Sequence, residues 1–449
     1  LKQHIGKITL QHSAKMFKRL RLLDWRQYGN INIEFHDKIT VITGANGAGK
    51  TTLLNILNTH LGGVQYPLVS VPTMGIAGLT YTTGLSTLRR FTDDITPYKP
   101  TQVPPYIHNP HLAHNQFAGQ EKIGLIEYEN GATAEIAIPK NPGSTYAFHI
   151  PAPQAVRGFS INSMRPLFKY EPVSSIPTNV SLKNQYYEAY RSSSVNRFYG
   201  NSNNSKNETY HIKETLLAWA TYGPGNSIIA SNPQALKLFN DFELVLKEVL
   251  PTTLGFINIT IRPPEIVLVT KTGEFPIDAV SGGVASIIDL AWQIYMFDSQ
   301  DLPFVITIDE PENHLHPEIQ KSLLPNMARA FPKCQFIVAT HSPFIITSMP
   351  ASNAYALKYN ENNKVDSVLL DRVDKSGSAN DILKEVLGLE DTMPDWVDEE
   401  IKRIIDKYKS VEIGDAGISS FKQELASSGL GKYIPESLLK LLEDYNARA

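Results

Sequence analysis

The run ITVITGANGAGKTTLLNILNTHLGG, Ile39 to Gly63, restricts the fold more than any other part of the chain. Ile39 to Thr43 is a continuous apolar strand signal. Leu53, Leu54, Ile56, Leu57 and Leu61 fall at helical spacing, and Gly62 is a C-terminal stop. Between them, Gly44 to Thr51 matches G-x-x-x-x-G-K-[ST] in full. A strand that turns through glycines straight into a helix start points backbone N–H groups and the positive helix end at one spot, which suits phosphate oxygens. The expected ATP-binding set is Gly44, Asn46, Gly47, Ala48, Gly49, Lys50, Thr51 and Thr52. Lys50 reaches the β- and γ-phosphates and Thr51 ligates Mg²⁺.

Three further stretches extend that chemistry. FVITIDEPE, Phe304 to Glu312, is a buried strand that delivers Asp309 to its C-terminal end, where open α/β sheets bind ligands. Adjacent carboxylates there are costly without a cation. Asp309 is therefore expected to hold Mg²⁺ through water, and Glu310 to accept a proton from the attacking water. FIVATHSP, Phe336 to Pro343, repeats the pattern and brings Thr340 and His341 out beside it, with His341 expected on the γ-phosphate or the water. In FPIDAVSGGVASIIDLAW, Phe275 to Trp292, Ser281, Gly282 and Gly283 open an apolar helix and form a second anion site. The first loop already holds a nucleotide, so the simplest use of the second is in trans, on ATP bound by another copy.

The glycine loop, Ser281-Gly282-Gly283, the acid-ended strand and His341, in that order along the chain, resemble an ABC-type ATPase head. IDEPENHLHP and ATHSP are similar to the SMC/RecF/OLD-like branch rather than to transporters. The resemblance covers roughly residues 15–62 and 251–360. It implies Mg²⁺-dependent ATP hydrolysis between two heads closed face to face, with Ser281, Gly282 and Gly283 on the partner's nucleotide. Glu310, His341 and Lys50 are then catalytic, Thr51 and Asp309 hold the metal, and Glu312 to Pro317 form a D-loop that senses the other site. The sequence departs from the family at Val284, where Gln or Glu often stands. It offers no assignable Q-loop glutamine: Gln116, Gln120 and Gln154 are all open. Arg165 falls where related ATPases often carry an arginine after a strand. The segment between the first loop and Ser281 lacks sustained heptads, so it is no coiled-coil arm. Only VEIGDAG, with Glu412 and Asp415, hints at an OLD-type Toprim nuclease, which is rejected. A head without arm or nuclease resembles bacterial anti-phage ATPases of the Septu type, which implies a separate HNH nuclease or other effector as partner. Two other readings stand beside it: an ATP-gated scaffold with little turnover, and a RecF-like clamp that binds DNA.

The expected architecture is α/β: an ABC-type P-loop head, with a wound mixed or parallel sheet and helices, plus an inserted lid and a C-terminal helical extension. Boundaries are expected at 1–62 for the N-lobe, 63–250 for the insert, 251–372 for the C-lobe and 373–449 for the extension. Within the insert, a hairpin at Ile123 to Ile138 turns on Asn130-Gly131. A strand lies at Phe159 to Ile161, a polar loop at 191–208, and helices at 212–221 and 232–249. The net charge of −3 counts against wholesale nucleic-acid binding, though DNA stays possible. Lys15, Lys18, Arg19, Arg21 and Arg26 read as a solvated strand edge. His108, His111 and His114 read as surface or packing residues, because Pro110 breaks the helix that would align them. The single cysteine, Cys334, reads as core. With no apolar signal core and no membrane-length run, the expected location is the cytoplasm.

Overall fold

The computed structural model describes residues 16–62, 68–75, 78–83, 119–177, 183–198, 206–298, 302–371, 375–389, 394–408 and 415–446. The chain divides into two compact units, Leu1–Ile382 with Val386–Gly388, and Leu383–Glu385 with Leu389–Ala449. His108, His111, His114, Gln116 and Glu412 lie outside the described residues.

The first unit starts with β1 (Phe17–Trp25), β2 (Tyr28–Glu34), β3 (Ile39–Gly44) and α1 (Lys50–Leu61). The middle of the chain forms short pairs from β4 (Leu68–Val69), β5 (Val71–Gly75) and β6 (Gly78–Thr82), then the hairpin β7 (Gln120–Tyr128) and β8 (Thr133–Pro139). β9 (Thr145–Tyr146), β10 (Gly158–Ile161), α2 (Lys183–Phe198), α3 (Glu208–Tyr222) and α4 (Pro233–Val249) follow. A small sheet of β11 (Phe256–Arg262), β12 (Glu265–Thr270) and β13 (Gly273–Pro276) leads into α5 (Gly282–Phe297). The unit closes with β14 (Phe304–Asp309), α6 (Pro317–Ala330), β15 (Cys334–Ala339), α7 (Pro343–Thr347), β16 (Asn353–Tyr359) and β17 (Val365–Leu369).

Ten strands form one sheet in the order β10-β14-β15-β3-β16-β17-β2-β1-β7-β8. The first five run parallel, and β2-β1-β7-β8 is antiparallel. Every residue of β3, β14 and β15 is buried. Such strands read as unbroken apolar runs because helices cover both of their faces. Side-chain alternation then sorts them between two cores. Phe304, Ile306, Ile308, Phe336 and Val338 pack with α2 to α6. Val305, Ile337 and Ala339 pack under α1 with Leu53, Ile56 and Leu57. Cys334 is buried in the first of these cores, as expected.

Within the described part of residues 63–250, β7, β8 and β10 join the main sheet, and α2 to α4 share a core with α5. The polar loop expected at 191–208 is corrected at its ends, because α2 continues to Phe198 and α3 begins at Glu208, while residues 199–205 lie outside the described residues. Its composition is poor for an isolated helix. Docking supplies the order instead: Tyr187 and Tyr190 are buried, and the Tyr190 hydroxyl donates to Asp289 on α5. The basic cluster is corrected in one respect: β1 is an interior strand, not an edge. Lys18, Arg19 and Arg21 all face Glu127 on β7, with Lys18 and Arg21 still about half exposed, and Lys15 lies outside the described residues.

The second unit contains α8 (Asp395–Tyr408), α9 (Asp415–Ser427) and α10 (Ile434–Asn446). Val397, Ile401, Ile404 and Ile405 make one apolar stripe on α8. They pack with Phe421, Leu425 and Leu441.

Candidate nucleotide site

The site stands at the C-terminal ends of β3, β15 and β14, three adjacent parallel strands. The loop after β3 needs its glycines. Gly44, Gly47 and Gly49 have φ of 143°, 80° and 99°, a region that side chains other than glycine's rarely tolerate. A Cβ on Gly49 would also stand 2.2 Å from the Tyr28 hydroxyl, which donates to the Gly49 carbonyl at 2.7 Å. β2 thereby clamps the loop from behind. Asn46 and Gly47 are exposed at its lip, and Ala48 is buried beneath it.

Lys50, at the first position of α1, curls back so that Nζ donates to Gly44 O at 2.9 Å and Ala45 O at 3.1 Å. The same Nζ lies 3.4 Å from His341 Nδ1. Thr51 Oγ1 donates to Asp309 Oδ2 at 2.8 Å. Lys50, Thr51, Asp309 and His341, spread over 292 positions of sequence (341 − 50 + 1), therefore meet in one place. Burial sets their electrostatics. It pulls the Lys50 amine down to about 8, against the pull of Asp309, Glu310 and Glu312. It pushes the Asp309 carboxyl up to about 6, with Thr51 opposing and Glu310 adding to the rise. His341 is lowered by burial first and then by the Lys50 charge, which favours neutral imidazole. Thr51 and Asp309 fit a small hard cation: two oxygen ligands are already in contact. Among the described residues no group of three or more His, Cys, Asp or Glu converges on a metal position. A cation here would take its remaining ligands from phosphate and water, as Mg²⁺ commonly does.

Glu310 follows at φ 49° and His314 at φ 69°. Left-handed backbone at such residues costs on the order of 1–3 kcal/mol each and persists only where neighbours impose it. Those neighbours are visible. Glu310 N donates to Ala339 O at 2.8 Å, and Asn313 Nδ2 donates to Glu310 Oε2 at 3.0 Å. Glu312 accepts from both Thr340 Oγ1, at 2.7 Å, and His341 N, at 2.8 Å. Glu312 thus ties the loop after β14 to the loop after β15. Motif spacing marked the stretch Glu312 to Pro317 but not this bond.

Ser281 caps α5 and accepts from Val284 N at 3.5 Å, while Ser281 and Gly282 are exposed. Val284 is 8% exposed and belongs to the core, so its side chain offers no polar group at the surface. No glutamine follows β10, the parallel neighbour of β14; Asn162, Ser163, Met164 and Arg165 stand there instead. Gln120 opens β7, and Gln154 precedes β10, its N–H donating to the Tyr128 hydroxyl at 3.3 Å. Arg165 is buried beside the Glu310 turn. A charged side chain just past a strand was the one signal available for it.

A glycine loop, an acid-ended strand and a histidine loop on adjacent strands of a mixed sheet define an α/β P-loop ATPase-like fold. Its resemblance is to the Septu type. Residues 169–347 match the family described as "AAA domain, putative AbiEii toxin, Type IV TA system", and residues 19–75 match another described as "AAA domain". The chain is 26% identical over 185 residues to the Septu protein PtuA of Bacillus thuringiensis, a match covering 37% of this chain and 47% of that one. It is 28% identical over 115 residues to the Retron Ec83 probable ATPase of Escherichia coli, covering 23% and 21%. The chain thus spans less than half the length of these curated relatives. Among solved structures, the SMC head domain from Thermotoga maritima aligns over 79% of this chain and 99% of its own, at 14% identity and a TM-score of 0.39.

Proposed function

We propose that the chain is the ATP-binding and ATP-hydrolysing subunit of a bacterial anti-phage defence complex. ATP is sandwiched between two copies and its turnover regulates a separate nuclease or other effector. The observation that carries the ATPase reading is the meeting of Lys50, Thr51, Asp309 and His341 at one strand end, with Glu310 on the adjoining turn. The likeness to Septu PtuA and to a retron ATPase supports the defence setting.

In this reading Lys50 exchanges its two carbonyl partners for phosphate oxygens, where its charge is better compensated. Thr51 and Asp309 separate to hold Mg²⁺, which when bound offsets negative charge on the phosphates. Glu310, fixed by Asn313, accepts the proton of the attacking water. His341, neutral beside Lys50, orients that water or the γ-phosphate. Ser281, Gly282 and Gly283 reach the partner's nucleotide.

The Glu310→Gln variant is the test. Phosphate release should fall by about 100-fold or more while ATP binding is retained. An unchanged rate would remove Glu310 from the mechanism. The buried Val284, which leaves the signature without its usual polar contact, favours the low-turnover scaffold as second reading. There the same variant would leave the protein's biological action intact. The net charge of −3 counts against a RecF-like clamp.

A further inference from the structure

Arg165 lies four residues beyond Ile161, the last residue of β10, and is 8% exposed. Its guanidinium touches two elements at once. Nε donates to Ser286 Oγ on α5 at 3.1 Å. Nη2 points at three carbonyls of one turn: Glu310 at 3.0 Å, Pro311 at 3.0 Å and Asn313 at 3.2 Å. Ser286 Oγ also stands 3.5 Å from Asn313 O. One turn earlier on α5, a Cβ added to Gly283 would lie 3.1 Å from His314 O. The start of α5 and the turn that carries Glu310 are therefore in contact at the helix end and bonded through one buried arginine. Nη1 is buried with no hydrogen-bond partner among the described residues, so the fork holds a spare donor. Burial lowers the guanidinium pKa, and the charges of Asp289, Glu312, Glu310 and Asp309 oppose that fall. A planar fork of fixed geometry transmits a displacement that a flexible ammonium would absorb.

We propose that Arg165 is a positioning residue that reports occupancy of Ser281-Gly282-Gly283 to Glu310 of the same chain. The inference rests on the in-trans reading of those three residues. When the partner's nucleotide seats on the start of α5, Ser286 moves with its helix. Arg165 then moves the carbonyls of Glu310, Pro311 and Asn313, and ATP in one site speeds hydrolysis in the other. Neither Arg165 nor Ser286 is bonded to Lys50 or Thr51, so binding at the glycine loop is left alone.

The experiment is the ATPase rate of the full chain against ATP concentration, for wild type, Arg165→Lys and Ser286→Ala. Ser286→Ala removes a single hydroxyl and serves if the arginine variant does not fold. A positive coupling between sites makes the wild-type curve sigmoidal, with a Hill coefficient approaching ~2. Both variants should bring it to ~1, with kcat several-fold lower, while a fluorescent ATP analogue binds each within about twofold of wild type. A variant that loses rate but keeps the wild-type curve shape would show a merely structural role and overturn the proposal. So would a hyperbolic wild type. A wild type with no turnover would instead sink the parent ATPase reading. The coupling, which acts on hydrolysis, would fall with that reading.

Discussion

Asp309 shows what the site costs the folded chain without its ligands. Its carboxyl is raised from 3.8 to about 6, so the protonated form is favoured by folding. The associated stability is complete below the unfolded value of 3.8 and is lost as pH rises through 6. Asparagine mimics the protonated form and can still accept from Thr51. Asp309→Asn should therefore be the more stable protein at pH 7.5, by on the order of 2 kcal/mol. The gap should close toward pH 4. Denaturant melts of the nucleotide-free variants at the two pH values read this directly, and a variant no more stable than wild type at pH 7.5 would contradict it. The gain is held down because Asp309 also supports the Lys50 charge. Lys50 behaves in the mirrored sense. Its pKa is depressed from 10.5 to about 8, so stability returns as pH climbs through that interval.

At the scale of the element, α5 separates two glycines that sit side by side in sequence. Gly282 has nothing within 4 Å of where a Cβ would stand, whereas Gly283 would meet His314 O at 3.1 Å. Gly282→Ala should leave thermal stability within about 0.5 kcal/mol of wild type, as surface changes usually do. It should still abolish ATP-driven association, because the added methyl occupies the approach to the partner's phosphate. Gly283→Ala must also push the turn near Glu310, so it should lose melting temperature as well. Thermal melts paired with sedimentation in ATP distinguish the two. Normal association of Gly282→Ala would argue that these residues do not contact a second copy's nucleotide.

For the whole molecule, the prediction is an ATP-dependent change of mass. Glu310→Gln with ATP and Mg²⁺ should sediment as a dimer, and Lys50→Ala should stay in its nucleotide-free state. Ligand linkage adds a second readout: at 100 times its Kd, ATP should stabilise wild type by about 2.7 kcal/mol, and Lys50→Ala not at all. Failure of Glu310→Gln to gain mass at saturating ATP would count against the sandwich.

The local chemistry was readable before any coordinates. A strand, three glycines and a lysine need only their neighbours to define the loop between β3 and α1. The mainly apolar runs of β3, β14 and β15 announce strands buried on both faces. Helix α4 came close to its expected ends because capping and periodicity are local signals. What depended on distant partners was hidden. α2 is ordered by Tyr187 and Tyr190 docking on the core, which composition cannot show. The basic face of β1 lost its apparent freedom to Glu127, more than 100 positions away. Arg165 and Glu312 acquired their bonds only when β10, β14 and β15 were laid side by side. Motifs fix chemistry through residues adjacent in the chain; positioning comes from residues adjacent in space, and only the assembled sheet brings those together.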